Sequence, residues 1–281
     1  MRLLSDRCTD SCIDLFCILE NMNVLSELDT TWAGKTCLCY EQIPSTQEEG
    51  KILAAKQNVH GYLLIAEEQT AGKGRRGRSW ESPKGKNIAM SLCLEPQISI
   101  NHVAGLTLVM ALAAAKAIKK VSGICPQIKW PNDLVINGKK ICGILTEFFA
   151  KPEGYAVIVG VGINVNTEEF PEEIRDTASS LKKETGKEVS REQLILAVMK
   201  QFETDYEAYK QTEDMSSLKG EYESLLVNCE RKVMVLDPKG TYGGTAKGIT
   251  PEGNLIVLRE DGTEISVSSG EVSVRGVYGY V

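Results

Sequence analysis

Only two histidines, His60 and His102, occur in the 281 residues, each isolated in a polar stretch. A histidine-based triad or metal site therefore has little to build on, and both rings are expected at the surface. Nine cysteines lie at 8, 12, 17, 37, 39, 93, 125, 142 and 229, an odd number with no C-x-x-C pair. That scatter indicates neither a paired disulfide framework nor a zinc site, and reduced, mostly buried thiols are the expectation. Positive charge is not in excess: 32 Lys and Arg face 38 Asp and Glu, for a net charge of -6. Salt-dependent wrapping of nucleic acid is disfavoured, and any basic function must be local. The longest apolar run, 103–115, is too short to cross a bilayer and reads as a core helix. The first residues are broken by Asp6, Arg7, Asp10 and Asp14, so they lack the apolar region of a secretory signal. With 42% hydrophobic and 25% charged residues the chain has a globular composition, and a cytoplasmic protein is the simplest expectation.

What is present reads as alternating strands and helices followed by a change of texture. Residues 1–36 show weak periodicity, consistent with one or two short helices ending near Trp32, and are too few for a winged or helix-turn-helix module. From 37 onward, CLCYEQI reads as a strand, STQEEGKILAAK as a helix opened by Ser45 or Thr46, and YLLIAEEQ as a strand. A Gly- and Arg-rich loop, the strand NIAMSLCLE and the helix near 103–120 follow; IKWPNDLVI and KKICGILTEFF then form a hairpin through Asn137-Gly138. YAVIVGVGINVN is apolar on both faces and belongs in the middle of a covered sheet. Ser190 with Gln193 makes a capping box for a helix whose stripe carries Leu194, Val198, Phe202, Tyr206 and Tyr209. Beyond 228, five short β-like runs separated by turn signals predict a small β-barrel. The organisation is thus a short segment 1–36, a domain 37–227 and a barrel 228–281.

Three segments carry the chemistry. In the first, Gly72, Gly74 and Gly77 formally match a dinucleotide fingerprint, but no helix can open in the Arg-, Ser- and Pro-rich residues that follow. Lys73, Arg75, Arg76 and Arg78 put four cations within six positions, in a loop whose glycines let backbone N–H groups approach an anion. A solvated basic loop is the plainer alternative. In the second, KWPNDL at 129–134, Pro131 removes a ladder donor and turns Asn132 and Asp133 toward an edge or cleft. Lys140 then enters an apolar run, where its ammonium needs an anionic partner: a substrate phosphate or carboxylate, or Asp133 in an internal ion pair.

The third segment is GVGIN at 160–164. Alternate glycines clear one face of a strand for something that passes close to its backbone, and Asn164 shares that face. A bulge with a satisfied core amide would also explain it. Ala33-Gly34-Lys35-Thr36 ends like a phosphate loop, but Asp29 stands where its first glycine belongs. No nucleophile and base stand together, which argues against covalent catalysis.

Taken together, STQ at 45–47, AGKGRRGRSW at 71–80, KWPNDL at 129–134, GKKICGIL at 138–145 and GVGIN at 160–164 resemble the biotin protein ligases in order and spacing. The likeness covers about 37–281 and is to the monofunctional type without a DNA-binding domain. It implies an α+β fold, with a mixed β-sheet flanked by helices on one side, as in class II synthetases, followed by an SH3-like β-barrel. It implies biotin and MgATP as substrates and biotinyl-5'-AMP as intermediate. The acceptor would be a lysine of a biotin carboxyl carrier protein, without DNA or a membrane as partner and with a homodimer allowed.

By the same resemblance, Ser45, Thr46 and Gln69 would bond the ureido ring of biotin, Gly72 and Lys73 would offer backbone groups, and Gly143 would line the pocket. Arg75 and Arg78 would meet phosphates, Trp80 would pack on adenine, and Lys140 would stand between the biotin carboxylate and the α-phosphate. Asn132, Asp133, Asn164 and Arg275 would serve the nucleotide, with Asp133 placed to contact MgATP. The chain departs from the commonest loop in Lys73, where Arg is usual, and in Thr70 after Gln69. The competing expectations are a lipoate or octanoate ligase of the same fold, a non-catalytic biotin or nucleotide sensor, and a nucleic-acid-binding regulator.

Overall fold

The protein's structure, a computed structural model, describes residues 27–81, 83–237, 240–269, 273–276 and 280–281. Of the short helices expected within 1–36, residues 1–26, with Cys8, Cys12 and Cys17, lie outside them, and the described stretch 28–35 up to and past Trp32 is loop and turn rather than helix. Strands β1 (Thr36–Ile43) and β2 (Tyr62–Gln69) are parallel and joined by helix α1 (Thr46–Ala54), since a parallel pair requires a crossover. The basic loop then leads to β3 (Ile88–Leu94), α2 (Gly105–Ser122), β4 (Gln127–Lys129), β5 (Asp133–Ile136), β6 (Lys139–Ala150) and β7 (Tyr155–Ile163). All seven strands form one mixed sheet in the order β1-β2-β3-β7-β6-β5-β4. The doubly apolar β7 is its central strand, as its composition predicts.

Helices α3 (Leu181–Thr185), α4 (Arg191–Thr212) and α5 (Lys219–Leu225) follow. Ser190 caps α4 by accepting the Gln193 N–H at 3.2 Å, and Leu194, Val198, Phe202, Tyr206 and Tyr209 are buried as their spacing requires. Most of α2 is buried, and it ends at Gly123, whose φ of 79° is the left-handed conformation of a helix stop. Each buried leucine of α2, such as Leu106 or Leu112, contributes about 2 kcal/mol of burial free energy.

Helices do not lie on one side only. The core that contains α2 and α4 includes Leu63, Met90, Val159 and Val161, whereas Ala54 of α1 packs with Leu64, Cys93 and Ile158 on the opposite face. The alternation of β2 and β7 places both sets, because successive side chains of a strand point to opposite sides. A second core below α1 follows from the β1–α1–β2 crossover.

The remaining strands, β8 (Lys232–Leu236), β9 (Tyr242–Ile249), β10 (Leu255–Leu258), β11 (Glu264–Val267) and β12 (Ser273–Gly276), form a five-stranded antiparallel sheet in the order β11-β10-β9-β8-β12. This is the small C-terminal β unit that the turn-punctuated texture predicts. It touches the first sheet through the buried Trp130, whose indole N–H donates to the Gly253 carbonyl at 3.0 Å.

Three local expectations need revision. IKWPNDLVI does break at Pro131, as the missing ladder donor requires, but instead of forming one arm of the Asn137-Gly138 hairpin it folds back on itself, β4 and β5 pairing in antiparallel register. The histidines are half-buried: His60 stacks on Trp32 at 4.7 Å and accepts the Glu95 N–H, while His102 pairs with Glu213 at 2.9 Å. Of the six described thiols, all free, only Cys93 and Cys142 are buried, and Cys125 is exposed. The Asn137-Gly138 turn appears as read, with φ of 50° and 75° joining β5 to β6.

Candidate active site

Register across the sheet builds the floor of the site. Ala66, Ala89, Gly162, Gly143 and Asp133 are consecutive cross-strand partners from β2 to β5, on the face that α1 covers. The row is almost free of side chains until Asp133, so a planar group can lie on the backbone. In this structure the planar group is the protein's own indole: a Cβ on Gly162 would stand 2.2 Å from Trp80 Cε2. The next cleared position, Gly160, is filled by Gln47, whose Oε1 would stand 2.9 Å from an added Cβ. The glycines therefore do clear a face, and two side chains of the chain use it.

Trp80 is carried by the basic loop. The loop is a clasp rather than an open coil: Trp80 N–H donates to Gly72 O at 2.9 Å, Gly74 N–H to Arg78 O at 2.7 Å, and one 3-10 turn covers Arg75–Gly77. A Cβ on Gly72 would lie 2.3 Å from the Trp80 carbonyl, so only glycine closes the clasp. Lys73 points away and pairs with Glu48 at 2.7 Å. Arg75 Nη1 donates to Asn132 Oδ1 at 2.7 Å and its Nη2 to the Ser269 carbonyl of the β unit, while Arg78 is exposed at the rim.

Several spaces lie around this floor, among them one of about 110 Å³ between the loop arginines, Lys129, Asn132, Asp133 and Tyr280. A cleft of about 890 Å³ runs beside the loop from Ala71 to Ser79 and reaches Ile100, Thr107, Leu145, Phe148 and Ser269. A slot of about 40 Å³ is lined by Ser45, Thr46, Gln69, Arg75, Trp80, Lys140, Gly143 and Gly160. A hollow of about 250 Å³ on the other side of Trp80 is bounded by Asn164, Phe170, Lys140 and Tyr280. Ligand pockets commonly measure about 300–1,000 Å³, so the slot in this structure is smaller than a typical ligand site.

Polar groups in the slot form a partly satisfied network. Gln69 Oε1 accepts from Thr46 N and Oγ1 at 2.9 and 3.1 Å, Thr46 Oγ1 meets Ser91 Oγ at 2.8 Å, and Ser91 donates to Gln47 Oε1 at 3.0 Å. Ser45, expected to cap α1, makes no cap bond; its hydroxyl and the Trp80 indole N–H are buried without a protein partner. Two unmatched donors beside one slot point to a polar ligand.

Lys140 adjoins both the slot and the hollow. Its ammonium lies 2.7 Å from Asp133 Oδ1 and 5.4 Å from the centre of the Trp80 ring. Burial alone would push Asp133 up, but the Lys140 ammonium, the Tyr280 hydroxyl and Lys129 outweigh it and hold the carboxyl below its usual range. Of the two readings open in the sequence, the internal ion pair with Asp133 is the one observed, and it lies at the boundary of the slot and the hollow. Asn132 is buried, with its amide donating to Ile144 O at 3.0 Å, and Asn164 is tied to Ser179 O at 3.1 Å. The Arg275 backbone pairs with Met234 in β8; its side chain lies outside the described residues.

Sequence reasoning missed Gln47, Ser91 and Tyr280. Gln47 was legible in principle as the side chain that needs Gly160 bare; Tyr280 had no local signal. Among the described residues no group of three or more His, Cys, Asp or Glu is set to hold a metal, and no helix is long and apolar enough to cross a membrane.

A floor almost free of side chains, a polar slot and a lysine paired with Asp133 under a basic loop make up the candidate site, and comparison with known proteins gives its family. Residues 39–164 match the Biotin/lipoate A/B protein ligase family and residues 229–275 the Biotin protein ligase C terminal domain. The chain belongs to this family. It is 38% identical to the bifunctional ligase/repressor BirA of Bacillus spizizenii over 87% of this chain and 76% of that protein. It is 31% identical to the biotin--[acetyl-CoA-carboxylase] ligase of Paracoccus denitrificans over 83% of this chain and 98% of that one. Among solved structures, the biotin protein ligase of Aquifex aeolicus in complex with biotin and ATP superposes with a TM-score of 0.76 at 35% identity. That match covers 86% of this chain and 99% of that chain.

Proposed function

We propose that the protein joins biotin to protein in two steps: biotin and MgATP give biotinyl-5'-AMP and pyrophosphate, and a lysine of a biotin carboxyl carrier protein then attacks the mixed anhydride. The observation that carries this reading is Lys140 at the boundary of slot and hollow, 2.7 Å from Asp133. Joining a carboxylate to an α-phosphate brings two anions together, and one preorganised cation in a water-poor site offsets about 3–4 kcal/mol of that repulsion. Positioning and charge suffice, so the lack of a nucleophile and base side by side is consistent.

In this reading the ureido ring of biotin enters the slot, where the free hydroxyl of Ser45 and the Thr46–Gln69 pair bond it. Gly72 and Lys73 act through their backbone, since the Lys73 side chain is engaged by Glu48. That makes Lys in place of the usual Arg harmless. Gly143 keeps the floor flat for the acid. The adenine occupies the hollow against Trp80 and Asn164, and Arg78 meets the phosphates from the rim. Arg75 meets them on exchanging Asn132 and the Ser269 carbonyl for anionic oxygens. Asp133 lines the space among Arg75, Asn132 and Lys129 and would face an incoming MgATP while its oxygens stay on Lys140 and Tyr280.

The assay that decides between this reading and a lipoate or octanoate ligase offers ATP, a carrier domain and either biotin or lipoate. Transfer of biotin alone supports the proposal. Transfer of lipoate alone, or binding of biotin without pyrophosphate release, refutes it in favour of a lipoate ligase or a sensor.

A further inference from the structure

Tyr280 reaches the site from the C-terminal tail, 147 positions beyond the residue it touches. Its hydroxyl donates to Asp133 Oδ2, while Asp133 Oδ1 faces Lys140 at 2.7 Å. Its ring lies under the Lys129 ammonium, 3.5 Å from Nζ to the ring centre. It also borders both the hollow next to Trp80 and the space among the loop arginines. The tail is seated against one turn and one strand end: Val281 packs within 3.3 Å of a Cβ placed on Gly138, and its carbonyl lies against Gly276 at the end of β12.

A carboxylate with two free oxygens can grip an ammonium with both and hold it down. With Oδ2 occupied by a hydroxyl, Asp133 meets Lys140 by an ion pair at Oδ1 alone, which keeps the ammonium on one side of the carboxylate and leaves its protons to incoming anions. We propose that Tyr280 is a positioning residue for acid adenylation: by taking one oxygen of Asp133 it aims Lys140 at the boundary between slot and hollow, so that the C-terminal unit completes the site. This deepens the adenylation reading and rests on it.

The test is biotin-dependent exchange of pyrophosphate into ATP by the full chain and by Tyr280→Phe and Tyr280→Ala. Phe keeps the ring beneath Lys129 and removes only the hydroxyl. The expected result is a kcat lower by about ten- to a hundred-fold in both variants, the scale of a hydrogen bond to a charged group. KM for biotin stays within about two-fold and the thermal midpoint of the Phe variant is unmoved, because the slot and the packing are intact. A Phe variant with wild-type kcat, or one in which only Ala is impaired, overturns the proposal and leaves Tyr280 as packing. A variant with a lower KM for ATP and an undiminished rate overturns it too, since the tail would then be an obstruction of the nucleotide space. Absence of biotin-dependent exchange in the wild-type chain would instead sink the adenylation reading, and this proposal with it.

Discussion

Gly162 and Gly143 are cross-strand partners, and together they are the surface on which the Trp80 indole rests. A Cβ on the first would stand 2.2 Å from Cε2, and one on the second 3.1 Å from Cζ3 and 3.0 Å from Lys140 Nζ. The backbone of β6 and β7 is therefore a wall of the site, and side-chain volume there acts on Trp80 directly.

Gly162→Ala should lift the indole from β7. Added volume at a close contact costs about 1–3 kcal/mol, which for a displaced binding surface corresponds to about a ten-fold or greater rise in KM for ATP. Initial-rate exchange at varied ATP measures it, with thermal unfolding as control. An unchanged KM would show that Trp80 does not bear on the nucleotide.

Lys140→Ala should lower adenylation by about a hundred- to a thousand-fold, the scale of losing one preorganised charge-stabilising group. It also takes the nearest cation from the Asp133 carboxylate, whose side chain is only 13% exposed and which then keeps Tyr280 and Lys129, so the fold should lose stability, by less than the roughly 3–5 kcal/mol of a fully unpaired buried charge. The double variant Lys140→Ala with Asp133→Asn should recover stability but not activity. Recovery of both in the double variant would mean that Lys140 serves the fold alone.

Removing the Ser45 hydroxyl separates binding from folding, because that group has no partner in the protein. Ser45→Ala should leave the melting temperature unchanged or raise it, and weaken biotin binding by about ten-fold. Calorimetric titration with biotin gives the answer; equal affinity of variant and wild type would remove Ser45 from the biotin site.

Acid should destabilise the chain through His60. Burial lowers its pKa from 6.5, with Lys210 adding to the shift and Glu95 and Glu207 opposing it. The unfolded chain therefore binds the proton first, so the contribution is complete above about 6.5 and is lost as pH falls from there through the depressed folded value. His60→Asn keeps an acceptor for the Glu95 N–H and removes the titration. Melting temperatures between pH 7.5 and 5 should fall less steeply in that variant, and parallel curves would exclude His60 as the cause.

Features that depend on neighbours in sequence were legible without coordinates. The glycine alternation at 160 and 162, the Asn137-Gly138 turn, the Ser190 cap and the turn-punctuated runs after 228 are each specified within a few residues, by side-chain periodicity or backbone freedom. The site motifs were legible for the same reason, being runs whose residue types suit anions and whose order matches a family. What was misread shares a different cause. Helices on both faces, the folding back of β4 on β5, and the half-burial of His60 depend on which distant segment arrives to cover a face.

Sequence by itself determined most of the strands and the two long helices, the concentration of cations at Lys73, Arg75, Arg76, Arg78 and Lys140, and the bare face of β7. Tertiary structure alone decided that Asp133, Gly143 and Gly162 share one row, that Trp80 lies on that row, that Arg75 is held by Asn132, and that Tyr280 closes on Asp133. The physical reason is register: strand pairing converts positions far apart in the chain into neighbours a few ångströms apart, and no local pattern encodes which positions those will be.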